Sequence, residues 1–198
     1  MTLARLIVLL VLGFVVGWLL RDDAIEHGPG VLAPEDPSQT DASEAGSFEH
    51  NGYRIKPLAD FAIKARVLGR EDYSFDREAE LAPMDLALGW GPMSDETVLE
   101  QIDISQSGRW YRWHAEQLPI ARRDIERHSA NMHLIPADEW VEDTLDDVRR
   151  GSLVELRGFL VEARADDGWY WRSSLTRDDT GARACELVFV ERVRLLVN

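Results

Sequence analysis

The pattern of apolar and polar positions divides the chain into three stretches of different character. From Leu6 to Leu20 no residue is charged and almost all are apolar, with Arg5 and Arg21 at the borders. As a helix these fifteen residues reach about 22 Å, short of the ~30 Å hydrocarbon core of a bilayer. With Met1 to Ala4 partly embedded, the span approaches the ~20 residues that a crossing helix needs. A removed signal peptide has a similarly short apolar region. Here, however, Arg21-Asp22-Asp23 follows instead of small residues, and Trp18 stands where an interfacial aromatic belongs. Residues 1–21 are therefore expected to form an uncleaved, single-pass anchor in the inner (cytoplasmic) membrane. Arg5 and Arg21 nearly balance across the span, a weak N-in bias that puts the rest of the chain on the extracytoplasmic side.

Residues 22–47 carry seven acidic side chains, no Lys or Arg, no aromatic, and prolines at 29, 34 and 37. Such a composition cannot bury enough apolar surface to offset the entropy of ordering. The segment reads as an extended, disordered acidic stalk.

Residues 48–198 hold both lysines, six of the seven tryptophans and all four tyrosines, which marks the globular unit. Ile63, Ala65 and Val67 alternate with Lys64 and Arg66, the period of a half-buried strand with the two cations toward solvent. Leu153 to Val161 and Cys185 to Val190 predict two further strands. Trp169 to Leu175 predicts a third between them, and Asp178-Asp179-Thr180-Gly181 supplies turn chemistry before the last strand. Leu118, Ala121, Ile125 and His128 recur at helical spacing behind Pro119. Val141, Leu145 and Val148 do the same within 138–150, ahead of Gly151. Strands with short inserted helices predict an α+β fold, a small antiparallel barrel of the OB or SH3-like kind.

Charge and cysteine count narrow the function. Lys plus Arg number 22 against 36 Asp plus Glu, a net charge of −14 that is the wrong sign for a nucleic-acid backbone. A single cysteine, Cys185, closes no internal disulfide and builds no Cys-type zinc site. No metal and no cofactor is implied.

The remaining candidates each carry a plainer reading. Cys185 is a candidate nucleophile, but on a strand it shares a face with Leu187 and Phe189, which describes a small buried hydrophobe. His128 and His133 are five apart, a spacing that suits neither a helix nor a strand for a shared metal without a bend at Ser129-Ala130-Asn131. Trp110, Tyr111 and Trp113, and Trp169, Tyr170 and Trp171, are dense in aromatics beside Arg109, Arg112, Arg172 and Arg177. They form either a stacking platform or a tryptophan-rich core. In Leu86 to Asp95, two glycines and a proline surround Trp90, and Ser94 or Asp95 caps a helix beginning at Glu96. A rigid turn is the simpler reading there, and a ligand loop around Trp90 and Asp95 the sharper one.

Three segments carry a resemblance: Asp85-Leu86-Ala87-Leu88-Gly89-Trp90-Gly91-Pro92-Met93-Ser94-Asp95, His128-Ser129-Ala130-Asn131-Met132-His133-Leu134-Ile135-Pro136, and Trp171-Arg172-Ser173-Ser174-Leu175-Thr176-Arg177 with Asp179-Thr180-Gly181 and Ala184-Cys185-Glu186. Together they resemble a group of uncharacterised bacterial membrane-anchored envelope proteins. The resemblance implies a bacterial source and a tethered domain, and no chemistry. Two functions are then expected to compete. One is a non-enzymatic binding or assembly module that takes an envelope protein, peptide or glycan through Trp90, Asp95, Arg109, Trp110, Trp169, Trp171 and Arg177. The other is an envelope hydrolase with Cys185 or Ser173/Ser174 as nucleophile, His133 as base, and Asp179 or Glu186 orienting it.

Overall fold

The computed structural model describes residues 24–42, 45–176 and 185–196. The expected anchor, the turn at 178–181, Arg177 and Asp179 lie outside them. The described part is mostly β with a few short helices, an α+β arrangement rich in sheet. Among the described residues no helix is long and apolar enough to cross a membrane.

The organising element is β3 (Tyr53–Asp72), a 20-residue strand whose odd positions from Ala59 to Val67 are buried. Register shifts at Pro57/Ala59 and Val67/Gly69 bend it, as bulges do, so that it serves different partners along its length. Its 54–66 stretch pairs with β8 (Leu153–Arg164), and its 66–72 stretch pairs with β4 (Met84–Gly89). β4 pairs with β7 (Ser129–Pro136), β7 with β10 (Glu186–Leu196), and β10 with β8, so the hydrogen-bonded path returns to β3. The β7–β10 pairing is parallel, which corrects the expectation of an antiparallel arrangement throughout. Three short strands lie along this path: β1 (Ser38–Asp41) and β2 (Phe48–His50) on β3, and β9 (Tyr170–Arg172) on β8.

Alternation along these strands points one set of side chains inward. Phe61, Ile63, Leu86, Leu88, Met132, Leu134, Leu156 and Val188 make the main core with Trp90. The opposite face of β7 and β10 is covered too. Ile135, Leu187 and Phe189 pack under Tyr53, Ile55, Trp169, Trp171 and Leu81 of α1 (Arg77–Leu81). A separate hairpin of β5 (Asp103–Ser107) and β6 (Trp110–His114) lays Ile104, Tyr111 and Trp113 over Leu68, Ala87, Met93 and Ile125.

The helices are shorter than the periodicity implies. α2 (Glu96–Leu99) is capped by Asp95, whose side chain accepts from Thr97 N. In α3 (Arg122–Arg127), Ile125 is buried while Leu118, before the helix, is exposed. α4 (Glu139–Asp146) begins at Asp138, which accepts from Val141 N, and buries Val141 and Leu145, with Val148 just beyond its end.

Residues 24–42 are not the free stalk that their composition suggests. Ile25 N donates to Arg150 O (2.9 Å), and Leu32 N and Ala33 N both donate to Ser94 Oγ (3.1 and 3.0 Å). Gly91 N donates to Ala33 O (2.7 Å), and β1 pairs with β3. Ala33 is fully buried. Gly151, at φ +89°, lies so close to this strap that a Cβ would stand 2.0 Å from Ile25 O. Strap docking and left-handed backbone both require glycine there. Arg66, expected on a solvent face beside Lys64, is buried under the strap and pairs with Glu96, which also accepts from His27 N.

Candidate functional site

A cleft of about 710 Å³ opens on the outer face of β4 and β7, between the tip of the β5–β6 hairpin and β9. It is lined by Arg109, Trp110, His133, Trp171, Ser173 and Cys185 among others. Its floor is a polar network that begins at Asp85, a carboxylate with no exposed surface in an otherwise apolar strand. Antiparallel register sets Asp85 directly opposite His133, so the two side chains share a face. Asp85 Oδ1 accepts from His133 Nδ1 and from Arg109 Nη1, each at 2.8 Å, and Oδ2 accepts from Asn131 Nδ2 at 3.1 Å. Gln106 Nε2 donates to Asn131 Oδ1 (2.8 Å), which ties the hairpin to β7. Because a carboxylate only accepts, the His133 proton sits on Nδ1.

Arg109 occupies the second turn position of the hairpin at φ 68°, after Gly108 at 57°. Two positive φ values are what a two-residue turn between twisted strands requires. A non-glycine residue there carries about 1–2 kcal/mol of strain. The position is over-determined: Arg109 N donates to Tyr73 Oη (2.9 Å), its Nη1 also donates to Ala82 O (2.9 Å), and its guanidinium lies 3.7 Å from the Tyr73 ring centroid. Trp171 stands 5.5 Å from that guanidinium, with its ring 4.8 Å from the His133 ring. Burial, with the nearby Asp85 charge, pushes the Tyr73 hydroxyl up to about 12.

Arg109, Trp110 and Trp171 of the expected binding residues meet here; Trp90, Asp95 and Trp169 do not. Trp90 is 1% exposed and its Nε1 donates to Asp36 of the strap at 3.1 Å. Asp95 is spent on capping α2 and on accepting from Gly30 N. Trp169 packs against Tyr53 and Trp171 under the Arg77 guanidinium. Arg172 lines the rim but donates to Glu162, as does Arg164. Burial pushes the Glu162 carboxyl up, and these two guanidinium bonds outweigh it and hold the group below its ordinary range.

The hydrolase constellation is only half assembled. His133 is present with an orienting acid, but that acid is Asp85, not Glu186. The Ser173 hydroxyl donates to Ser174 O (2.8 Å) and accepts from Leu187 N (3.0 Å), and the Ser174 hydroxyl joins Thr176 O and N. Cys185 is half-buried in the cleft wall, its Sγ directed at Arg109 O (3.9 Å). Burial, then the charges of Glu186 and Asp85, push its thiol up to about 11. At neutral pH such a group is thiol, not thiolate. A thiolate fraction about a hundredfold smaller, with about tenfold returned in nucleophilicity, predicts iodoacetamide modification on the order of tenfold slower than for free cysteine, rising toward pH 11. Rapid alkylation at pH 7 would count against this picture.

His128 and His133 are held apart. The His128 Nδ1 bonds the Asp124 carbonyl and its ring lies against Trp90, whereas His133 lies against Trp171. Among the described residues no group of three or more metal-ligating side chains converges. Asp85, Tyr73, Asn131 and Gln106 escaped the sequence reading. The signal for Asp85 was a lone acid inside Met84-Asp85-Leu86-Ala87-Leu88, because a charged residue is fully buried only when paired. No family model matches the chain, and no curated protein and no solved structure matches it either.

Proposed function

We propose that the chain is a membrane-anchored, extracytoplasmic binding module of the bacterial envelope that takes a peptide or glycan in the Arg109–Trp171 cleft. The observation that carries this reading is the cleft itself, in which indole faces, a guanidinium and a buried polar floor converge. The segments on which the envelope resemblance rests supply Asp85, Asn131, His133, Trp171, Ser173 and Cys185 to this one place. Five strands whose pairings return to the first support an OB-type barrel. In that fold, the face of the second and third strands, with the loops joining strands one to two and four to five, is where oligomeric ligands lie. β4, β7, the 73–83 loop and the 165–176 segment are the corresponding parts here, and this support is fold-level analogy. The docked strap leaves only a few residues between the proposed span and Ile25.

The hydrolase alternative has the Asp85–His133 pair in its favour and, among the described residues, lacks an activated nucleophile. The test is addition of cell-wall glycopeptide fragments and of envelope-derived peptides to the full chain in detergent, followed by indole N–H resonances. Selective shifts of Trp110 and Trp171 are expected. Trp171→Ala should abolish them at a stability cost of only about 1–2 kcal/mol, the part-burial share of a large aromatic. Shifts absent with every fragment, or equal in Trp171→Ala, would overturn the reading.

A further inference from the structure

The ligand class can be narrowed, on the reading that the cleft is a binding site, from what Arg109 leaves undone. Its Nη1 is used twice, by Asp85 and by Ala82 O. Its Nε and Nη2 are buried and have no hydrogen-bond partner. These two groups form the side edge of the guanidinium, a planar fork matched to two oxygens of one oxyanion. The nearest acid is Asp76, whose Oδ1 stands 3.6 Å from Nη2, beyond hydrogen-bond length. That oxygen is already occupied as the cap of α1, accepting from Ala79 N at 2.6 Å. Asp76 is about half exposed, and it follows Phe75, which is fully exposed. Two charged donors buried without an acceptor are costly, and in a native protein they call for an absent partner.

We propose that the cleft binds a carboxylate-bearing ligand through the Nε–Nη2 edge of Arg109, with an attached flat group lying on Trp171, and that the Asp76 carboxylate loosely covers this edge until the ligand displaces it. A carboxylate fits better than a phosphate because the surroundings are already acidic. Glu78 lines the cleft, Asp76 borders the edge, Asp85 lies beneath, and Glu186 is buried next to Cys185. Arg172, the other cation on the rim, is drawn to Glu162. One guanidinium edge answers one negative charge, and a dianion would bring unpaired charge against these carboxylates. Displacing Asp76 takes a side-chain rotation at a half-exposed position, at the cost of loosening its bond from Ala79 N. Its substitution by Asn keeps the helix cap, because Asn and Asp cap about equally well.

The experiment uses the full chain in detergent with phenylacetate, phenylacetamide and phenyl phosphate as probes. The Arg109 Nε–H resonance and the Trp171 indole are followed. Phenylacetate is expected to shift both saturably, with phenylacetamide and phenyl phosphate at least about tenfold weaker. Asp76→Asn should tighten phenylacetate by about threefold or more, by removing the competing anion, and leave phenylacetamide unchanged. Arg109→Lys, which keeps a charge for Asp85, should erase the preference for acid over amide. Equal binding of acid and amide, tighter binding of phenyl phosphate, or no response to Asp76→Asn would overturn the carboxylate assignment while leaving the cleft a binding site. If no probe moves either resonance, the assignment falls, and if cell-wall and peptide fragments also fail, the cleft reading falls with it.

Discussion

Asp85→Ala is expected to lower stability by about 3–5 kcal/mol, because it removes one member of a buried ionic network and strands the others. Asp85 has no exposed surface and accepts from Arg109, His133 and Asn131. Without it, Arg109 loses its main acceptor and His133 Nδ1 faces a cavity. The loss is a large part of the ~5–15 kcal/mol that holds a domain of this size together, and corresponds to roughly a 10 °C fall in melting temperature. Asp85→Asn retains an acceptor oxygen and most of the volume, and should cost less. The network also predicts non-additivity. Arg109→Met added to Asp85→Leu should recover part of the loss, since an apolar pair replaces a buried ion pair with little penalty once neither charge is left alone. Urea unfolding at constant m-value compares Asp85→Ala, Asp85→Asn, Asp85→Leu and the double variant. A loss below about 1 kcal/mol in Asp85→Ala would show that the network contributes little to folding.

Strands stand where the pattern predicts them at 63–67, 153–161 and 186–190, because their period reflects burial against a core on the same polypeptide stretch, whereas the stretch expected over Trp169 to Leu175 is a strand only at Tyr170–Arg172. Ile63, Ala65 and Val67 face inward, and so do Val154 and Leu156. The Asp95 cap was legible for a similarly local reason, since its acceptor lies two residues away at Thr97 N. What the pattern could not show depends on partners far along the chain. The strap at 24–42 is poor in apolar side chains, so composition marks it as unfolded. It docks chiefly through backbone groups that find Ser94, Gly91, Arg150 and the edge of β3. Composition measures what a segment can bury alone, and this one uses receptors that the domain provides.

The hairpin at 103–114 was hidden for a different reason. Its inner positions Ile104, Tyr111 and Trp113 are only half-buried, and Trp110, Tyr111 and Trp113 stand out as a cluster of aromatics more than as a period of two. The alternation and the Gly108 turn were nevertheless present in the sequence. Its consequence for the site is large, because the turn carries Arg109 onto Asp85. The cleft was partly visible as residue types, with Arg109, Trp110, Trp171, His133 and Cys185 all singled out. Their roles were not, because these depend on the β4–β7 register, which pairs Asp85 with a histidine 48 positions away.

Trp90→Ala should be the other severe variant, and it separates a structural from a ligand-binding role for the glycine-flanked turn. Trp90 is among the largest fully buried side chains, and truncating such a residue costs about 3–5 kcal/mol in lost transfer energy and cavity. It also joins two parts of the fold. Its ring belongs to the main core while its Nε1 donates to Asp36 at 3.1 Å, and the neighbouring Gly91 N holds Ala33 O. The variant should therefore do more than lower the melting temperature. Amides of Leu32 and Ala33, which donate to Ser94 Oγ, should lose hydrogen-exchange protection ahead of the strands, because strap opening is a local event with a smaller free energy than global unfolding. Trp90→Phe fills much of the same volume without the N–H. It should cost about 1–2 kcal/mol, and its exchange should quicken in the strap more than in β3 or β8. Asp36→Ala provides the matching probe from the other side: it removes the same hydrogen bond from an exposed position and should reproduce the strap effect with little change in the core. A Trp90→Ala protein that kept its stability and its strap protection would place this indole outside the core and return the Trp90–Asp95 turn to consideration as a ligand loop.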